Sequence, residues 1–253
     1  MLGCCRLIIL GSKNKVFDPF NDFEQVGYLR NRHGEKDSTI IRQLEHVMFR
    51  AGLDDALDYL ATRNVLCYED FLEVHRILFE EFYPWAGQDR AATAPNCAVS
   101  KVDTFFCHPL HARLAINEGL RIGQDVMLMR QNFGKVMGFF AYGHPFLDGN
   151  GRTMLIIHNE LCYRAGFSIN WHHTNKMDYL TALSAEIESP SKGHLDKYLC
   201  KFIGEVRDRE HWGEAINVIQ GLDGQSIQNF VEGEYTDMAV AQKYKSFEIN
   251  RGL

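Results

Sequence analysis

Apolar positions recur at helical spacing over most of this chain. Ile41, Leu44, Met48 and Phe49 fall on one face of a helix that Ser38 is placed to cap. Asp54 to Ala61 reads as a second helix. Leu72, His75, Leu78, Phe79 and Phe82 stripe a third, which begins near Glu69 and ends ahead of Pro84. Helical texture returns from Pro109 through Leu120 and Ile122, and again from Asp125 to Tyr142, where Met129, Phe133, Val136, Met137 and Phe140 recur. The spacing predicts further helices over Thr153 to Arg164, stopped by Gly166, and from a cap at Thr174 to Ile187. His194 to Arg207 and Glu214 to Gln220 are shorter candidates. Residues 87 to about 107 break the period, and the turn residues Thr93, Ala94, Pro95, Asn96 and Cys97 predict a hairpin or extended loop there. Residues 1–37 read as irregular, and residues 221–253, rich in Gly, Asp, Gln and Asn, as a helical appendage or a loosely held tail. The pattern as a whole predicts an all-α protein with one short strand pair.

Composition narrows the function. The chain has 253 residues, 45% hydrophobic and 24% charged, which excludes a disordered or low-complexity protein. Its longest early apolar run, Leu7 to Leu10, is too short for a membrane span or a signal-peptide core, so a cytoplasmic protein without a membrane partner is expected. A net charge of −6 gives no basic field for nucleic acid. The seven cysteines form no C-x-x-C pair and lie in apolar stretches, which favours reduced thiols over a disulfide framework or a zinc site. His108 with His111, and His172 with His173, lack carboxylate or thiolate partners at zinc spacing. No P-loop is present, and Cys97 has no evident base beside it. Lys101 and Arg90 flank the expected hairpin, where they could contact phosphate or target, and read first as solvated charges. Trp171 reads as a core residue.

Chemistry concentrates in His144-Pro145-Phe146-Leu147-Asp148-Gly149-Asn150-Gly151-Arg152, a turn between two apolar helices. Gly149 and Gly151 let the backbone curl and point successive N–H groups at one place, at the start of the second helix, where the dipole also favours an anion. Asn150 adds an amide donor and Arg152 a guanidinium suited to phosphate oxygens. Asp148 would repel a bare phosphate, a conflict that disappears if its carboxylate holds Mg²⁺ bridging to the phosphates. His144 has an ordinary pKa near neutrality and stands ready to take a proton from an attacking hydroxyl. Phe146 is expected to plug the core. The set points to phosphoryl-type transfer.

This stretch resembles the signature of the Fic family, H-P-F-x-[Asp or Glu]-G-N-G-R. His75 to Phe79, followed by Tyr83-Pro84-Trp85-Ala86-Gly87, is similar to that family's helix leading into its flap hairpin, and Asp103 to Pro109 to the flap's exit. The resemblance implies a Fic-type helical domain over residues 60–205, an irregular and helical segment over 1–59, and a helical extension or tail over 206–253. It implies a protein adenylyltransferase that moves AMP from ATP to a Ser, Thr or Tyr hydroxyl of a target protein. His144 would be general base, Asp148 the Mg²⁺ ligand, and Gly149, Asn150 and Gly151 the phosphate nest, while Arg152 grips the departing phosphates. The target would dock as an added strand on the flap, residues 88–106. A toxin or effector role, with delivery into another cell or an inhibitory antitoxin-like partner, is compatible with the resemblance.

Two departures matter. Many Fic enzymes have a second Arg three residues after the first; here that position is Leu155. No full Ser/Thr-x-x-x-Glu-Gly/Asn inhibitory motif is found: Glu188 is followed by Ser189, and the segment from Gln228 to Gly233 begins with Gln. Self-inhibition by that Glu–Arg pair is therefore not expected. With Leu155, the donor could also be UMP-linked or phosphocholine-linked, and a non-catalytic nucleotide-binding module is a third reading.

Overall fold

The computed structural model of the protein describes residues 28–101, 104–217, 219 and 230–251. The expectations for residues 1–27, for the hairpin tip at 102–103 and for 220–229 lie outside the described residues. Helices α1 (Ser38–Ala51), α2 (Leu53–Thr62) and α3 (Tyr68–Phe79) lead into a short turn of helix, α4 (Arg90–Thr93), and the hairpin β1 (Cys97–Lys101) and β2 (Thr104–Phe105). Then come α5 (Ala112–Gly123), α6 (Val126–Gly143), α7 (Asn150–Arg164), β3 (Ser168–Ile169), α8 (Lys176–Glu188) and α9 (His194–Leu199). The chain continues through β4 (Ile203–Gly204), α10 (Trp212–Asn217), β5 (Phe230–Glu234) and α11 (Met238–Arg251).

Helix α6 is the axis, with α5, α7, α8 and α9 packed round it. Its buried residues, among them Met129, Phe133, Val136, Met137 and Phe140, take up most of its circumference from Phe133 onward, leaving Lys135 and Phe139 half-buried on the remaining side. Asn132 leaves helical geometry at φ −136°, ψ 28°, kinking the helix. The kink exposes the next amides as a helix start does, and Asp196 at the head of α9 accepts from Gly134 N at 2.6 Å and Lys135 N at 3.3 Å. A Cβ on Gly134 would sit 2.2 Å from Asp196 N, so only glycine admits this close approach.

Several local expectations are corrected. Asp37, not Ser38, caps α1, because its carboxylate reaches both Thr39 N and Ile40 N. Asn175 rather than Thr174 caps α8 for the same reason. The helix expected over His194 to Arg207 stops at Leu199, and Ile203 and Gly204 instead form β4, paired antiparallel with β3. The expected single strand pair is exceeded as well: β5 joins the hairpin in a three-stranded sheet of order β2-β1-β5. Residues 230–251 are thus neither a simple helical appendage nor a loose tail. Phe146 and Trp171 lie in the main core. Among the described residues, no helix is long and apolar enough to cross a membrane.

Candidate active site

Helix α6 ends at His144, which takes the left-handed conformation (φ 38°, ψ 58°) that a non-glycine residue adopts only when its surroundings hold it there. Arg90 supplies the hold. Its fully buried side chain donates from Nε to His144 O (2.8 Å) and from Nη2 to Cys107 O (2.9 Å), while its own N–H bonds Pro145 O at 2.6 Å. Arg90 is therefore no solvated charge; it is the post to which the corner is tied. The His144 ring stacks on Phe106 (centroids 3.6 Å apart, 4° between planes) and retains 7% exposure. Burial first, then the positive charges of Arg90 and Lys101, push its pKa well below the usual value, so the imidazole is neutral at pH 7.

Past the corner, Asn150 staples the turn. It donates from Nδ2 to Phe146 O (2.7 Å) and accepts from Phe146 N at Oδ1 (2.9 Å). The amide expected to face phosphate thus also holds the turn, through Oδ1 and one of its two Nδ2 hydrogens. The Phe146 ring is buried against His75, 3.7 Å between centroids and 14° between planes. His75, fully buried on α3, accepts from Gly87 N at Nδ1 (2.9 Å), so its Nε2 carries the proton and donates to Asp148 O at 3.0 Å. Burial lowers its pKa to about 3, and the ring is a neutral strut between the flap's stem and the turn.

Gly149 sits at φ +76°, and a Cβ there would meet Phe79 Cε2 at 2.6 Å. Its N–H donates to Asp148 Oδ1 at 2.6 Å. Gly149 is the N-cap of α7 and makes no side-chain cap bond, so the first-turn amides of α7 have no capping side chain. A Cβ on Gly151 would meet nothing within 4 Å. Open space thus lies over the helix N-terminus, beside the half-buried Asp148.

Arg152, expected to grip phosphate, is engaged by protein groups in this structure. It is buried, lies over the rings of Phe79 (4.7 Å) and Phe49 (5.6 Å), and its Nη2 bonds Glu45 Oε1 of α1 at 2.5 Å. Its Nη1 is buried without a partner. A buried Glu–Arg pair is thus present after all, assembled from Glu45 and Arg152 rather than from a Ser/Thr-x-x-x-Glu-Gly/Asn motif. Burial raises the Glu45 pKa to about 7, against the pull of Arg152. Leu155 is core, as its helical position predicts.

A family model describing the Fic/DOC family matches residues 65–162. Over this stretch the chain resembles the Fic/DOC family. The matched stretch holds α3, the hairpin, α5, α6 and nearly all of α7. Among curated relatives, a probable protein adenylyltransferase, y4lH, of Sinorhizobium fredii is 27% identical over 67% of this chain and 88% of its own length. Protein adenylyltransferase VbhT of Bartonella schoenbuchensis is 27% identical over 65% of this chain, which spans only 35% of that longer relative. In fold, the chain is similar to the type IV secretion effector BepA (TM-score 0.59, 17% identity, 83% of this chain and 78% of that one). It is likewise similar to BepC of Bartonella tribocorum, solved with bound AMPPNP (TM-score 0.57, 16% identity, 71% of this chain and 93% of that one).

Glu45 lies outside the Fic match, and Arg90 and His75 lie inside it without belonging to the nine-residue signature. Only the WAG-type stem after His75 hinted that this flank mattered. Nothing in the local pattern around Glu45 or Arg90 distinguishes them from surface charges.

Proposed function

We propose that this protein transfers AMP from ATP to a hydroxyl of a target protein. The observation that carries the reading is the pairing, within one turn, of a neutral imidazole at His144 with an uncapped helix start at Gly149–Gly151 whose space a side chain would fill. The names of the relatives support the same chemistry.

His144 accepts the proton of the acceptor hydroxyl as its oxygen bonds to the α-phosphorus. The bond from that phosphorus to the bridging oxygen breaks, and pyrophosphate leaves. First-turn amides of α7 orient the phosphates and offset their charge. Asp148 keeps one carboxylate oxygen beyond its bond to Gly149 N and fits a Mg²⁺ ligand, and a bound Mg²⁺ would neutralise phosphate charge there. Arg90 and His75 keep the corner and the turn in register. Arg152 would turn its guanidinium to the leaving phosphates more freely on giving up Glu45. The acceptor would be presented by the flap, whose residue Lys101 feels the charge of Asp148.

Leu155 supports a second reading of the donor. With a buried leucine at that position and Arg152 engaged by Glu45, the terminal phosphate of ATP meets weaker recognition, and another diphosphate-linked donor could serve. Incubating the protein and a lysate separately with labelled ATP, UTP and CDP-choline, then weighing the modified proteins, distinguishes the donors. Label from none of them, or undiminished labelling by His144→Ala, overturns the transferase reading.

A further inference from the structure

The hairpin has two outer edges of unequal length. That of β2 spans two residues and turns toward α8, where Thr104 Oγ1 donates to Glu188 Oε1 at 3.1 Å. That of β1 spans five residues, and its end carries Lys101, whose charge bears on both His144 and Asp148. An edge of backbone N–H and C=O groups is a template for another extended segment, and β1 is the longer template beside the site. It is filled from within. Strand β5 pairs antiparallel with it, Cys97 opposite Glu234, Ala98 opposite Gly233, Val99 opposite Val231 and Ser100 opposite Phe230. The buried Ser100 hydroxyl donates to Glu232 Oε1 at 2.6 Å, across 132 positions of sequence.

The occupant fits imperfectly. The register shifts between Ala98 and Val99, leaving Glu232 as the extra residue of a bulge beside Gly233 at φ +126°. Ala98, Phe105 and Val240, with Tyr235 and Tyr244 against them, form a small cluster of their own, and Phe247 packs against both it and the main core. Beyond these apolar contacts, α11 is tied down by Tyr244 OH accepting from His108 N (2.9 Å), Tyr142 OH donating to Glu248 (2.7 Å) and Arg251 Nε donating to Ile187 O (2.6 Å). A unit with its own small apolar contact and a few polar ties is the kind that opens without unfolding the rest.

We propose that β5 is the intramolecular occupant of a strand-addition site on β1, and that an extended segment of the acceptor protein pairs there only after β5 leaves. This rests on the reading of the flap as the acceptor's dock. The segment that replaces β5 must offer Ser100 an acceptor where Glu232 now does, so an acidic side chain at that register is the matching chemistry. A segment without the bulge forms a continuous ladder with β1, which offsets the effective concentration, on the order of millimolar, that tethering gives β5.

The register supplies the test. Tyr235 N bonds Asn96 O at 2.8 Å, which makes Cys97 and Glu234 the next, non-hydrogen-bonded pair. Such pairs have α-carbons about 4.5 Å apart, within disulfide range. Glu234→Cys, oxidised, therefore locks β5 onto β1 through the native Cys97, and reductant unlocks it. Gly233→Val does the reverse, since its φ excludes a branched side chain and a Cβ would lie 3.1 Å from Val240 Cγ2. The probe is a fluorescein-labelled peptide copying residues 230–237, with oxidant-treated unsubstituted protein as control. Peptide affinity is expected to fall at least about tenfold on locking and to rise at least about tenfold in Gly233→Val. AMP transfer to lysate proteins should follow the same order. Equal peptide affinity in the locked, unlocked and released forms overturns the proposal, as does transfer that is equal in all three. Ordered peptide binding with no transfer in any form supports strand exchange and removes the transferase reading alone.

Discussion

Arg90 Nε donates to His144 O across 2.8 Å, from a side chain with no exposed surface. One guanidinium thereby holds the left-handed corner that aims the imidazole and places a positive charge near the ring. Its Nη1 is buried without a partner, so the residue is not optimised for stability alone.

Replacing Arg90 by Gln removes the charge while keeping a donor. The His144 pKa then rises, because one of the groups holding it down is gone. A base works only when neutral, so the acid limb of the rate–pH profile should move to higher pH. Loss of aim should lower kcat by about 100-fold with little change in KM for nucleotide. Arg90→Lys should restore the position of the acid limb but not the full kcat. An unmoved limb in Arg90→Gln, with the fold intact by circular dichroism, removes the electrostatic role.

Glu45→Gln weakens the hold on Arg152. The guanidinium becomes available to phosphate, and ATP affinity should rise about tenfold, equivalent to about 1.4 kcal/mol. Calorimetric titration with ATP and Mg²⁺ reads this directly, and unchanged affinity would mean that Arg152 does not reach the nucleotide.

The same carboxyl makes stability pH-dependent. Its folded-state pKa of about 7 exceeds the ordinary 4.5, so the folded protein holds a proton that the unfolded chain has released between those values. Its contribution is fully present below pH 4.5 and is lost as pH rises through 7. The loss is at most about 3 kcal/mol. Urea denaturation at several pH values should show that slope in the unsubstituted protein and a flatter one in Glu45→Gln.

Gly149 and Gly151 should respond differently to alanine. Gly149→Ala combines φ +76° with a 2.6 Å approach to Phe79 and should cost about 2 kcal/mol or more. Gly151→Ala meets no protein atom and should leave stability within about 0.5 kcal/mol. If phosphate occupies that space, nucleotide affinity should nonetheless drop by about tenfold. A thermal melt paired with nucleotide titration separates the two, and Gly151→Ala with full affinity would place the phosphates elsewhere.

His75→Phe keeps ring stacking on Phe146 while leaving Asp148 O and Gly87 N without the bonds the imidazole now makes. Unpaired buried groups cost about 1–3 kcal/mol each. A melting temperature unchanged from the unsubstituted protein would show that the strut carries no load.

Legibility followed sequence distance. The helices over Asp54 to Ala61 and Asp125 to Tyr142 were readable because apolar periodicity reports a buried face directly. His194 to Arg207 misled, since Ile203 and Gly204 are drawn into β4 by pairing with β3, a partner the local pattern does not contain. The chemistry of Asn150 suits a ligand donor, and only the fold shows that Phe146 also engages its Oδ1 and one Nδ2 hydrogen.

By itself, then, the chain's order of residues determined the helical class, the turn from His144 to Arg152 and the glycines that let it curl, since all of these are consequences of neighbours within a few positions. The tertiary structure decided what Arg90, Glu45 and Glu232 do, at separations of 54, 107 and 132 positions from the groups they bind. A charged side chain has no local signature for its partner. Where burial brings it beside one, the cost of leaving either unpaired fixes the contact, and burial is a property of the whole fold.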